Sequence, residues 1–244
     1  MDIILLGYGR MGKAIEAEAQ RRGHRIAQVL DTPQYASLDQ FAHALGLVAI
    51  DFTQPDQAVP NAYACLERGI PLVVGTTGWQ KEYPLVKEAF EQKNGALLTA
   101  SNFSPGVNFM LGLARQMAAF ADKFPGFTPS LTEVHHLHKV DAPSGTAVSI
   151  ADAFLQGTQH YKGWKGEQTA FGKYRGCPPY LPIDALREQD VFGVHTLHLQ
   201  SASEDLTLSH TAKDRTVFAA GAVAAAEWLL SKKGVYTMQD VLGL

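Results

Sequence analysis

Cysteine is nearly absent from the chain: Cys65 and Cys177, far apart, are the only two among 244 residues. No disulfide framework and no cysteine-built metal site is implied, and a reducing cytoplasm fits. A basic excess is missing as well. Lys and Arg number 21 against 24 Asp and Glu, a formal net charge of -3, so nothing electrostatic calls for a nucleic-acid partner. No apolar run reaches the length of a membrane span, and the opening residues form an apolar strand without a basic leader, which predicts a protein neither exported nor anchored. Internal repeats and low-complexity tracts are lacking too. What is left, 46% hydrophobic and 18% charged residues, is ordinary globular composition, enough for one large domain or two modest ones.

The first half alternates apolar strands with helical stretches. Asp2 to Leu6 is a strand, Gly7-Tyr8-Gly9-Arg10-Met11-Gly12 a glycine turn, and a helix follows through Ile15 and Ala19. In G-x-G-x-x-G the first glycine allows the tight turn, the second lets a pyrophosphate approach the backbone, and the third permits close helix packing. A second strand, Arg25 to Leu30, ends at Asp31, placed to meet the ribose hydroxyls of an adenosine. Thr32-Pro33-Gln34 then brings no base for a 2′-phosphate, which leans toward NAD(H), with Arg10 or Lys13 left to assist NADP(H). Strands at 47–52, 71–74 and 96–100 and helices at 57–68 and 81–92 continue the alternation, which means a doubly wound parallel sheet. Ligands of such sheets sit beyond the carboxyl ends of the strands, where Gly7 to Gly12, Thr53, Gly75-Thr76-Thr77 and Ser101 to Phe103 fall.

From Ser101 the pattern changes. An apolar helix from Val107 to about Phe120 leads into strands at 130–139, 183–187, 191–200 and 206–211, close in sequence and joined by turns, so a second α+β domain with a mixed or antiparallel open sheet begins near Val107. Residues 156–182, including Tyr161, Trp164, Phe171 and Tyr174, read as a long Gly-rich loop. An Ala-rich helix, Val217 to Leu230, and a short segment to Leu244 close the chain.

The densest chemistry is Glu133 to Ala147, E-V-H-H-L-H-K-V-D-A-P-S-G-T-A. As a strand it would put His135, Leu137 and Lys139 on one face and His136 and His138 on the other. Ser144 is an N-cap candidate, and Gly145-Thr146 would begin a helix whose N-H groups suit an anion, most simply a carboxylate. Half-exposed sheet histidines and a His136-x-His138 chelate are the rival readings. The second is disfavoured by Lys139 beside it and by the lack of further ligands other than Asp141, so no metal is expected.

With these motifs in view, together with D-F-T-Q-P at Asp51 to Pro55 and V-G-T-T-G at Val74 to Gly78, the sequence resembles the dihydrodipicolinate (4-hydroxy-tetrahydrodipicolinate) reductase family over most of its length. The resemblance implies NAD(P)H-dependent reduction of a cyclic dicarboxylate in diaminopimelate and lysine biosynthesis. It casts His135 as acid/base, Lys139 as proton donor, and His136, Gly145 and Thr146 as substrate contacts. Gly7, Tyr8, Gly9, Arg10, Met11, Gly12, Asp31, Gly75, Thr76, Thr77, Ala100, Ser101, Asn102 and Phe103 fall at the cofactor positions, with NADH favoured over NADPH. It further implies a nucleotide-binding domain of residues 1–106 and 217–244, a substrate and oligomerisation domain of 107–216, a cytoplasmic location and a homotetramer. The sequence departs from the family in a glycine turn one residue shorter than usual, in Gln189 where Gly is usual and in Val194 where Glu is usual. Another Rossmann oxidoreductase, such as a semialdehyde or homoserine dehydrogenase, and a noncatalytic nicotinamide sensor are the alternatives. The chain has no catalytic-looking cysteine, which argues against a semialdehyde dehydrogenase, and a sensor would not need His135 and Lys139.

Overall fold

The computed structural model describes residues 1–31, 35–168 and 179–244, the side chains of 35, 167 and 168 excepted. Thr32-Pro33-Gln34, Phe171, Tyr174 and Cys177 lie outside the described residues. The chain divides into two compact units, one of Met1–Pro105 with Thr216–Leu244, the other of Gly106–Arg215.

The first unit is a parallel sheet in the order β11-β5-β4-β3-β1-β2. Its strands are β1 (Asp2–Leu6), β2 (Arg25–Leu30), β3 (Leu47–Asp51), β4 (Leu72–Val74), β5 (Ala96–Thr99) and β11 (Gly234–Tyr236). Four of them read as almost unbroken apolar runs because both faces are covered. The period of two sorts their side chains into two cores. Ile4, Leu6, Leu47, Ala49, Leu72, Val74 and Leu97 pack to one side; Ile3, Leu5, Val48, Ile50, Val73, Ala96 and Leu98 pack to the other. Helices α2 (Pro55–Glu67) and α3 (Tyr83–Gln92) cover the first face. Helices α1 (Arg10–Arg21) and α6 (Thr216–Leu229) cover the second. Gly221 is what lets α6 lie close here: a Cβ on it would run into the Phe103 carbonyl oxygen. Glu227 of α6 fastens this far part of the sequence to the end of α1, accepting from Arg22 at 2.9 Å and pairing with His24 at 2.7 Å. A short 3-10 helix over Tyr35–Phe41, β11 and α7 (Met238–Leu242) were not expected as such from the sequence.

The second unit is a mixed sheet in the order β10-β9-β6-β8-β7, from β6 (Thr128–His136), β7 (Gly163–Gln168), β8 (Tyr180–Glu188), β9 (Gly193–Gln200) and β10 (Asp205–Ala212). β8 runs parallel to β6 and β7, whereas β9 is antiparallel to β6 and β10. One face is sealed by α4 (Pro105–Lys123) and α5 (Gly145–Gln156) through Met110, Ala114, Ala118, Ile150, Ala151 and Phe154 against Leu131, Ile183 and Leu197. Full burial of side chains such as Ile150 and Phe154 contributes roughly 2 to 3 kcal/mol each.

Two expectations are corrected. The strand thought to run from Ser130 to Lys139 stops at His136, with Leu137 and His138 in a turn, so Lys139 does not share a strand face with His135. The turn follows because the chain must reverse toward Pro143 and the cap of α5, and Leu137 and Val140 are left exposed. The segment read as loop between Gln156 and Pro182 contains β7 and the start of β8. Gly166 earns its place in β7 because a Cβ there would come within 2.5 Å of the Ile183 carbonyl oxygen on the neighbouring strand.

Candidate functional site

At the carboxyl end of β1 the chain turns through Gly7, whose φ of 86° is left-handed backbone that glycine adopts without penalty. A Cβ there would lie 2.5 Å from the Phe52 carbonyl oxygen, and one on Gly12 would strike the Gly7 carbonyl oxygen. Gly9, the N-cap of α1, is different. Nothing lies within 4 Å of where its Cβ would be, and no side chain caps the helix. Two glycines therefore close the turn and one leaves its outer face open to a group that meets N-H donors and the positive helix end. Asp31 stands beside it, its Oδ1 accepting from the Tyr8 N-H at 2.8 Å. The Tyr8 hydroxyl donates to Glu16, whose carboxylate pushes the phenol pKa up. Arg10 is exposed at the first position of α1 and Met11 packs inward against the core.

A cavity of about 240 Å³ lies over this turn, bordered by Gly7, Tyr8, Gly9, Asp31, Thr53 and Gln54. A second, of about 290 Å³, is bordered by Thr76, Thr77, Trp79, Tyr83, Ala100 and Ser101. What supports both was not foreseen. Asp51, fully buried at the end of β3, accepts at Oδ1 from the Thr53 N-H, the Thr53 hydroxyl and the Thr76 hydroxyl, and at Oδ2 from the Asn61 amide, all within 2.7 to 2.9 Å. Trp79 Nε1 donates to the Thr76 carbonyl at 2.7 Å. Phe52 packs against Phe103 with ring centroids 5.5 Å apart and fills the space beneath Gly75. Asn102 accepts the Ser104 N-H at 2.8 Å, fixing the 100–103 turn. The D-F-T pattern signalled a match without revealing that its acid is a hub. Cys65, fully buried, is pushed up to about 12 by burial and then by the Asp51 charge, which removes it as a nucleophile.

In the second unit the sheet register builds a cluster. Glu133 on β6 faces His195 on β9, and the next inward residue, His135, pairs with Arg187 on β8. All four side chains are almost wholly buried. Glu133 Oε1 accepts from the Ser144 N-H at 2.9 Å and lies 3.5 Å from both terminal nitrogens of Arg187. Its Oε2 lies 3.3 Å from His135 Nδ1 and 3.7 Å from His195 Nε2. Burial pushes the Glu133 carboxyl up, but His135 and the hydroxyl and N-H of Ser144 outweigh it and hold the group below the usual carboxylate range. His195 falls to about 3 because burial, then the nearby His135, disfavours its cation more than Glu133 favours it. It is neutral at ordinary pH, so its approach to Glu133 is not an ion pair. Ser144 caps α5 as expected, accepting from the Ala147 N-H at 3.2 Å, and its hydroxyl also meets His195 Nε2 at 3.2 Å.

Glu133 Oε2, His135 and His195 lie close enough, within 4.8 Å of one another, to coordinate a divalent cation. Arg187 and the Ser144 N-H already engage that carboxylate, however, and a second cation would meet the guanidinium's repulsion. The His136-x-His138 pair considered from sequence has ring centroids 6.4 Å apart. Lys139 Nζ donates to Asp141 Oδ1 at 2.7 Å. Burial raises the Asp141 carboxyl, and Lys139 together with the backbone N-H groups of Asp141 and Gly145 brings it down. The ammonium and the helix end expected to hold an anion thus converge on one carboxylate of the chain itself. Of the residues singled out from sequence, His135, Lys139 and Gly145 gather around this cluster. His136 is half-buried, Gly145 has open space where a Cβ would stand, and Thr146 follows in the first turn of α5. Glu133, Arg187 and His195 had no role assigned. The signal that would have found them is the inward position of Glu133, two residues before His135 on a strand.

A doubly wound parallel sheet with this glycine turn, joined in one chain to a mixed sheet carrying buried titratable groups, is the build of a nicotinamide-dependent oxidoreductase. Family models described as dihydrodipicolinate reductase, N-terminus and C-terminus, match residues 1–103 and 106–242, and the chain belongs to that family. It is 40% identical over 243 residues, 99% of this chain and 98% of the relative, to the 4-hydroxy-tetrahydrodipicolinate reductase of Christiangramia forsetii. It is 35% identical to the protein of the same name from Chromobacterium violaceum, covering all of this chain and 98% of the relative. Among solved structures, a dipicolinate-bound dihydrodipicolinate reductase from Paenisporosarcina sp. TG-14 superposes with a TM-score of 0.79 at 22% identity, covering 98% of each chain. An engineered D-amino acid dehydrogenase bound to NADP+ reaches 0.55 at 14%, covering 98% and 93%. These two report the fold.

Proposed function

We propose that the protein reduces 4-hydroxy-tetrahydrodipicolinate to tetrahydrodipicolinate with a reduced nicotinamide dinucleotide, the reductase step of diaminopimelate and lysine biosynthesis. The match to curated reductases along 99% of the chain carries this reading. The Gly7 to Gly12 turn and the open N-terminus of α1 would hold the pyrophosphate, and Asp31 the adenosine ribose, with Gly75-Thr76-Thr77 and Ala100 to Phe103 bordering the remainder. The open face at Gly9 and the cavity beside it fit such a group. NADH is the preferred donor, because the Asp31 carboxylate, fixed by the Tyr8 N-H, accepts from a ribose hydroxyl and repels a 2′-phosphate.

When bound, the reduced nicotinamide supplies a hydride to C4 of the ring after the 4-hydroxyl has left as water. The protein holds the two carboxylates and delivers a proton. Gly145 and Thr146 at the start of α5, with His136, anchor one carboxylate, which displaces Asp141 from Lys139 and from the helix end. Lys139, so released, donates the proton to the enamine, and His135 acts as the acid/base partner. The few cysteines, and the absence among the described residues of a helix long and apolar enough to cross a membrane, support a cytoplasmic location. The outer strand β10, which leaves Leu206 exposed, supports a homotetramer built through the second unit's sheet. The test mixes the protein with freshly generated substrate and follows oxidation of NADH and NADPH in parallel. Consumption that requires substrate and favours NADH is expected, and no consumption with either nucleotide overturns the reading.

A further inference from the structure

The strongest unassigned feature is the carboxylate of Glu133, a fully buried acid that no step above uses. It touches both halves of the candidate site. Oε1 takes the Ser144 N-H at 2.9 Å, and Ser144 is the residue that caps α5. Oε2 faces His135 Nδ1 at 3.3 Å, and both of these atoms are buried without a hydrogen-bond partner of normal geometry. Arg187 stands behind the carboxylate, its guanidinium donating to the Asp141 carbonyl at 2.7 Å and to the Leu186 carbonyl at 2.7 Å. A buried acid in such surroundings is fixed in place from three sides.

An ionised carboxylate can only accept, so the ring nitrogen facing it must carry the hydrogen. A neutral imidazole has one N-H, which leaves the lone pair on the other nitrogen. Nε2 lies beside Gly193, where a Cβ would come within 3.0 Å of it, so glycine at 193 keeps that edge of the ring uncrowded. We propose that Glu133 is the positioning residue of this site: it holds His135 in the Nδ1-H tautomer with Nε2 free to exchange a proton, and through Ser144 ties that ring to the end of α5. The imidazole and the carboxylate anchor then share one rigid support. His195, neutral, completes the packing, its ring edge-on to His135 with centroids 5.0 Å apart.

This inference rests on the proposed reductase reading, and its test separates the two. The ring 15N shifts of His135, assigned with a His135→Gln variant and read well above the ordinary imidazole range, report the tautomer without any turnover. Nδ1 protonated and Nε2 bare is the expected result. The reverse tautomer overturns the proposal even if the protein reduces its substrate briskly, and failure of NADH consumption leaves the tautomer result standing. Glu133→Gln should keep an acceptor for the Ser144 N-H but lose the fixed polarity. The His135 shifts should move toward a mixture of tautomers, and kcat should fall about 10- to 100-fold with KM for NADH within about two-fold. Unchanged His135 shifts in that variant, or a loss confined to KM, would sink the assignment. If the variant does not fold, the wild-type tautomer alone decides.

Discussion

The two units hold their candidate sites by different means. In the first, the ligand-facing surface is backbone and short side chains, and its buried acid, Asp51, is spent on two threonines and an asparagine that fix turns. In the second, two imidazoles and a guanidinium crowd one buried carboxylate, and one of the imidazoles is held neutral by burial. A backbone cradle reads shape and is indifferent to pH. A buried cluster stores protonation states, and its geometry depends on which of them carry charge. Damage to the first should therefore surface as lost nucleotide affinity or stability, and damage to the second as lost turnover or altered acid sensitivity.

The sharpest way to break this comparison is Lys139→Ala, which should lower kcat by about 100- to 1,000-fold while the dissociation constant for NADH, from fluorescence titration, stays within about two-fold. His135→Ala should follow the same pattern more mildly, since water can stand in for a lost acid. Equal losses of turnover and affinity would show that the units do not divide labour in this way. Next comes Asp51→Ala, which takes the shared acceptor from four donors and should cost about 2 to 4 kcal/mol of unfolding free energy in urea, with kcat at saturating NADH little changed.

The third probe is acidity. The native state leaves His195 unprotonated down to about pH 3, whereas the unfolded chain binds that proton near the ordinary imidazole value, so stability contributed above that value is lost as pH falls. Between pH 7 and 5 this group alone should remove about 2 kcal/mol. Glu133, held low, adds a further loss at more acid pH. His195→Gln should flatten the decline between pH 7 and 5, and a decline equal to that of the wild type would assign it to other groups. The smallest effect expected is from Asp31→Ser, which should raise KM for NADH about ten-fold, narrow the gap to NADPH and leave kcat intact; an unchanged KM would remove Asp31 from the nucleotide site.

Much of this was legible in the residues, and the exceptions have physical causes. Strands β1 and β2 and the cap at Ser144 could be read because apolar runs, glycine turns and N-caps are local signals. The strand ending at His136 instead of Lys139 could not. The period-two pattern of charged and apolar residues continued past the point where the chain had to turn back toward α5. Strand β7 was missed because Gly163-Trp164-Lys165-Gly166 is poor strand sequence, stabilised by pairing alongside β8 and by Trp164 packing on the core beneath α5. The hub at Glu133 was hidden for the same kind of reason: an acid beside three histidines looks like solvated surface until its neighbours are known.

By itself the sequence determined a parallel sheet opening on a glycine turn, a second sheet, and the chemistry of the stretch from Glu133 to Ala147. All of these are properties of residues near one another along the chain. The tertiary structure alone decided that His195 would stand opposite Glu133, that Arg187 would close behind it, and that Asp51 would gather Thr53, Asn61 and Thr76. Strand register and burial are set by contacts between distant segments. In a medium where an unpaired charge is costly, those contacts determine which acid is ionised and which imidazole stays neutral.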